Sequence, residues 1–113
     1  MLEDLTERLR QFAEERDWAQ FHSPKNLAMA LSVEAAEIVE HFQWLTQEQS
    51  RRLDGSVLES VREEIGDVLI YLTMLSDKLG IDPVKAAFDK IEKNRKAYPV
   101  DIVKGKADKH KEV

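Results

Sequence analysis

The sequence predicts an all-α domain, a four-helix-type bundle, and three observations carry that expectation. Apolar residues recur at spacings of three and four in four successive segments, the signature of helices with one buried stripe. Five of the seven glycines and prolines fall where those segments start or stop. No segment alternates apolar and polar residues with period two, so strands are not expected. At 113 residues the chain is long enough for one domain and too short for two.

The first predicted helix carries Leu2, Leu5, Leu9 and Phe12 with charges between them and runs to about Trp18. Phe21-His22-Ser23-Pro24 breaks it, and Ser23-Pro24 reads as an N-cap followed by proline at the first helical position. The second predicted helix places Leu27, Leu31, Ala35, Ile38, Phe42 and Leu45 on its apolar stripe and ends near Thr46; residues 47–55 read as a polar connector. The third begins around Ser56, carries Val57, Val61, Ile65, Val68, Leu69, Leu72, Leu75 and Leu79, and is closed by Gly80. Asp82-Pro83 opens the fourth by the same cap-plus-proline logic, with Val84, Ala87, Phe88 and Ile91 on its apolar side and an end at Tyr98-Pro99. The expected domain spans residues 1–99. Residues 100–113 form a lysine-rich tail, in which 104–113 hold four lysines against two acids.

Composition narrows the function. Hydrophobic residues make up 42% and charged residues 35%, a globular rather than a disordered balance. With 17 basic and 22 acidic residues the net charge is −5, which argues against a nucleic-acid binder that must neutralise phosphates. Cysteine is absent, which excludes disulfides, thiolate metal sites and cysteine nucleophiles. No apolar run reaches the roughly 20 residues of a membrane span, and the acidic start Leu2-Glu3-Asp4 is unlike a signal peptide. A cytoplasmic protein with no nucleic-acid or membrane partner is expected.

Four acids stand out. Glu34 and Glu37 are three apart on the second predicted helix, and Glu64 and Asp67 are three apart on the third. An i, i+3 pair lies within about 60° around a helix axis, so each pair shares a face, where like charges repel. A single E-x-x-E is ordinarily a solvated face. Here the pattern occurs on two helices, amid apolar residues, and each continues with a matched residue seven positions on: His41 after Glu34 and Tyr71 after Glu64. Trp44 follows ten residues after Glu34 on the same predicted side. Side by side, the two helices would present four carboxylates to one point, a hard oxygen site suited to Mg²⁺ or Mn²⁺. A di-iron carboxylate bundle would need E-x-x-H on two helices, and the third helix has no histidine. A redox-silent cation usually partners a phosphate chain. Glycine-rich phosphate loops are absent, which leaves basic side chains such as Lys90, Lys93 and Arg95, with Asn94, on the fourth helix.

Glu34-x-x-Glu37 followed by Glu64-x-x-Asp67 resembles the E-x-x-E…E-x-x-D signature of the MazG-like all-α nucleoside triphosphate pyrophosphohydrolases. The stretches 12–18, 20–22, 24–27, 42–44 and 67–72, and Lys90-x-x-x-Asn94-Arg95-x-x-Tyr98-Pro99, look like the dCTP pyrophosphatase branch of that family, so the likeness covers the chain from Leu2 to Pro99. The resemblance implies hydrolysis of (deoxy)nucleoside triphosphates, dCTP-like ones favoured, between the α and β phosphates. The products would be monophosphate and pyrophosphate, a role in nucleotide-pool sanitation. It implies Mg²⁺ as cofactor, with Glu34, Glu37, Glu64 and Asp67 as both metal-binding and catalytic residues. It also implies a base pocket at Trp18 and Trp44, His22 and Tyr71 close to phosphates or sugar, and Lys90 and Asn94 as phosphate or sugar contacts. Animal members of that branch carry a substrate-contacting histidine where this chain has Leu9, and their connector between the second and third helices is longer. The resemblance further implies dimers and tetramers, in line with four short helices whose apolar faces exceed what one protomer can cover. A homotetramer built as a dimer of dimers is expected. The rival expectations are a nucleotide-binding module without turnover and a plain helical oligomerisation domain.

Overall fold

A computed structural model describes residues 1–106, all helix and connecting turns. The chain divides into two compact units, Met1–Gly80 and a second starting at Ile81. Among the described residues no helix is long and apolar enough to cross a membrane.

In the first unit, α1 spans Leu2–Glu15. It ends three residues short of the expected Trp18, because the chain turns left-handed at Asp17, with φ of 55°. The amide of Trp18 returns to the carbonyl of Ala13 at 2.9 Å and that of Asp17 to Glu14 at 3.1 Å. This pair of bonds is a Schellman ending, which satisfies the last helical carbonyls. Its customary apolar clasp is present as well: the Trp18 ring meets Phe12 edge-on, with centroids 5.7 Å apart. Aspartate tolerates the left-handed conformation that usually selects glycine, so no glycine announced the stop. A 3₁₀ turn at Ala19–Phe21 follows.

Helix α2 spans Pro24–Phe42, with Ser23 Oγ accepting from the Asn26 amide at 3.1 Å. Asn26 Nδ2 donates to the Phe21 carbonyl at 2.9 Å and so ties the helix start to the 3₁₀ turn. The helix stops before the expected Thr46, and the expected polar connector contains a further short helix, α3 at Gln47–Ser50. The cause is a capping box. Thr46 Oγ1 accepts from the Gln49 amide at 3.1 Å while Gln49 Oε1 accepts from the Thr46 amide at 2.9 Å, so Thr46 starts a helix rather than ending one. Helix α4 spans Gly55–Leu79 behind the N-cap Asp54. Asp54 Oδ1 accepts from the Val57 amide and the Ser56 hydroxyl, each at 2.9 Å, and the Val57 bond foremost holds its carboxyl below the usual range. Gly80, with φ of 67°, closes α4 as expected.

The main packing is α2 against α4, with α1 lying on α4. His41, at the end of α2, meets Glu64 in the first half of α4, whereas the earlier Glu34 senses Asp67 further along, so the two helices run antiparallel. Ala13, Leu27 and Val61 are the buried apolar residues, joined by Thr73 and Ser76. A fork joins α1 to the end of α4: Arg10 Nε donates to Asp77 Oδ2 at 2.8 Å, and Nη2 to Oδ1. The fork holds the Asp77 carboxyl below its usual range.

In the second unit, α5 spans Pro83–Ala97, and Asp82 Oδ1 accepts from the Val84 and Lys85 amides at 3.0 and 3.1 Å. The expected tail opens with one helical turn, α6 at Val100–Val103. From residue 107 onward the lysine-rich tail lies outside the described residues.

Candidate active site

Antiparallel packing of α2 and α4 brings the two acid pairs to one seam. Glu34 lies within electrostatic reach of the other three acids. Its carboxyl is raised above the usual glutamate range, first by a hydrogen bond shared with Glu37, then by burial, then by the charges of Glu37, Asp67 and Glu64. Glu34 Oε2 is shielded from solvent and has no hydrogen-bond donor. Across the seam, His41 Nε2 lies 2.6 Å from Glu64 Oε2, although no aligned hydrogen bond reaches that buried oxygen. The two side chains are in close polar contact across the seam. As they stand, the carboxylates engage each other and His41, and among the described residues no three acidic or histidine side chains already encircle one point. They are the residues with which this chain could hold a hard cation.

Tyr71 follows Asp67 by four residues, about 6 Å along α4, so the aromatic part of the site adjoins the acids. Three of the expected substrate contacts, Trp18, His22 and Tyr71, line one cavity of about 280 Å³ between α1, the 3₁₀ turn and α4. Leu9, Phe12, Ile70 and Met74 complete its apolar wall, with Arg8 at the edge. Of these wall residues the sequence pointed to Leu9 alone, through the substrate-contacting histidine that animal members carry at its position. Phe12 was read as part of a helix stripe, which does not distinguish core from pocket. His22, Leu9 and Met74 also border an adjoining cavity of about 420 Å³, with Arg10, Thr73 and Asp77 on its far side. Burial, and then the nearby Lys78, lower the His22 pKa, so the imidazole is neutral at neutral pH. It can donate or accept one hydrogen bond there but brings no positive charge to a phosphate.

Trp44 is not part of that cavity. It lies beyond the end of α2, 85% exposed, rather than on the helix side expected from its spacing to Glu34. Lys90 and Asn94 lie on α5 in the second unit; Lys90 is exposed, and Asn94 is half-buried with Oδ1 lacking a donor. Arg95 pairs with Glu92 at 2.8 Å.

Paired carboxylates on two antiparallel helices, next to an aromatic cavity, define an all-α protein of the MazG-like class. The chain belongs to the MazG-like family, matched over residues 29–113, a span that includes all four acids. It is similar to dCTP pyrophosphatase 1 of Bos taurus, 40% identical over 111 residues, which cover 96% of this chain and 66% of that protein. The Homo sapiens dCTP pyrophosphatase 1 is 39% identical over 114 residues, covering 99% of this chain and 67% of that one. The chain thus spans about two thirds of the length of these relatives. Among solved structures, a pyrophosphatase from Archaeoglobus fulgidus superposes with a TM-score of 0.75 at 44% identity, covering 86% of this chain and 91% of that one.

Proposed function

We propose that this chain is a cytoplasmic, Mg²⁺-dependent nucleoside triphosphate pyrophosphohydrolase, with dCTP-like nucleotides favoured, that cleans the nucleotide pool. The observation that carries the reading is the convergence of Glu37, Asp67 and Glu64 on Glu34, four like charges on one seam. The chemistry of the set fits a hard divalent ion: every donor is a carboxylate oxygen, and one of those oxygens, Glu34 Oε2, is buried without a donor. Mn²⁺ suits the same donors. The names of the similar proteins, dCTP pyrophosphatase 1 and a pyrophosphatase, support the same chemistry.

In the overall reaction water adds to the α phosphorus, the bond from that phosphorus to the bridging oxygen breaks, and pyrophosphate leaves. When bound, Mg²⁺ supplies charge neutralisation for the phosphate oxygens and the acidity that water needs as a nucleophile. The chain's residues do the rest. Glu34, Glu37, Glu64 and Asp67 hold the ion, and a carboxylate of this cluster takes the proton that water loses. Trp18, Phe12 and Tyr71 offer flat apolar faces to a base, His22 gives one neutral hydrogen bond, and Lys90 and Asn94 contact phosphate or sugar. Trp44, exposed beyond the end of α2 and outside that cavity, is the second base contact of this reading.

Assembly belongs to the same proposal. Leu58, Ile65, Leu69 and Leu72 share one side of α4 and are all exposed, as are Met29 and Val33 on α2. Contiguous apolar surface of this kind marks an interaction site. A homotetramer built as a dimer of dimers would cover it, and a light-scattering mass near 13.1 kDa would exclude that assembly.

The activity is tested by incubating the protein with each common NTP and dNTP, with and without Mg²⁺, and separating pyrophosphate from orthophosphate. Metal-dependent pyrophosphate that vanishes in Glu37→Gln and Asp67→Asn establishes the enzyme. Metal binding without pyrophosphate from any nucleotide would indicate a binding module instead.

A further inference from the structure

We propose that His41 is a positioning residue that fixes the Glu64 carboxylate for the divalent ion, an inference that rests on the metal reading above. Four observations point to it. His41 follows Glu34 by seven residues, two helical turns, so α2 carries it on the side of the acid pair. Its Nε2 lies 2.6 Å from Glu64 Oε2. The side chains are only 27% and 19% exposed, so water competes weakly for either partner. Among the described residues this is the one contact between a basic and an acidic side chain that joins α2 to α4.

Glu34 and Glu37 lie beside each other on α2, close enough for each to bear on the other. Glu64 Oε2 makes no aligned hydrogen bond. A glutamate has three side-chain torsions to order, and an imidazole N–H braced from the facing helix removes much of that freedom before the ion arrives. The role requires a hydrogen on the nitrogen that faces Glu64, which an imidazole can carry at Nε2. Oriented carboxylates of this kind lose about 10–100-fold in metal affinity when the supporting donor is removed.

The test is Mn²⁺ binding, followed by electron paramagnetic resonance of the free ion and by calorimetry, on the full chain without nucleotide. His41→Phe keeps a ring and loses the donor; His41→Gln keeps an N–H near the same place. Circular dichroism and melting of both variants establish that they fold. Expected are about 10–100-fold weaker Mn²⁺ binding in His41→Phe and recovery to within about 10-fold of wild type in His41→Gln. A packing role alone would reverse that order, since phenylalanine fills the space better than glutamine, and would overturn the proposal. Equal affinity in all three proteins overturns it while leaving the metal site standing. Tighter binding in His41→Phe also overturns it, because the imidazole would then be occupying the cation's place. Absence of Mn²⁺ binding by the wild type overturns the metal reading and this one together.

Discussion

Leu27→Ala tests whether the α2–α4 seam is held as the structure shows. Leu27 is 1% exposed and is the largest side chain to be fully buried among the described residues. It lies seven residues before Glu34, on the same side of α2, so its packing also sets how closely the acid pairs are held. The change removes three carbons. At about 0.8 kcal/mol for each buried methylene the transfer part is about 2.4 kcal/mol. A hole of about 30–60 Å³ left by incomplete collapse adds about 1 kcal/mol at about 24 cal/mol per Å³. The expected loss is therefore about 3 kcal/mol, a large part of the roughly 5–15 kcal/mol that stabilises a domain of this size. Near the melting point this lowers Tm by about 12 °C, at about 4 °C per kcal/mol for a chain of this length. Thermal and urea unfolding followed by circular dichroism, at one protein concentration for both proteins, measure it. A loss under about 1 kcal/mol would refute the reasoning, since the stability would then reside in faces that this protomer leaves open.

Three further predictions concern the site. Glu34 holds its proton more tightly folded than unfolded, so it contributes stability below about pH 4.5 that is lost as pH rises through its raised folded value. With metal removed by chelator, Glu34→Gln is therefore expected to melt above the wild type at neutral pH, with the gap closing below pH 4.5. The gain should be at least the about 0.2–0.5 kcal/mol assigned to a like-charged i, i+3 pair, and a lower Tm would contradict the crowding of the acids. His22 has the opposite sign: its folded pKa lies below 6.5, so its contribution is present above that value and is lost as pH falls through it. Melting curves from pH 7.5 to 5.5 should show a smaller decline in His22→Asn than in the wild type, and equal declines would place His22 in water. Trp44→Ala, at an 85% exposed position, should change stability by under about 0.5 kcal/mol while raising KM for the best nucleotide several-fold. An unchanged KM would remove Trp44 from the substrate contacts.

The sequence by itself determined the helices and their caps, because both depend on neighbours a few residues apart. Ser23-Pro24, Asp82-Pro83 and Gly80 each act within a single turn, and each does in the structure what its residue type dictates. The paired acids were also legible, since i, i+3 spacing fixes a shared face whatever the helix packs against. Two boundaries were missed where polar side chains replaced the usual signals. Asp17 took the left-handed place of a glycine, and Thr46 with Gln49 formed a box that began a new helix inside the expected polar connector. Tertiary structure alone decided which stripe residues became core and which became cavity. Leu27 is buried, while Leu9 and Phe12 line the pocket with Trp18 and Tyr71, although all carry the same periodic signal. It also decided that Glu64 meets His41, because the register between antiparallel helices follows from the packing of their faces and from the chain that joins them. Local spacing sets the angle of a side chain around its own helix; only docking of the helices sets what stands opposite.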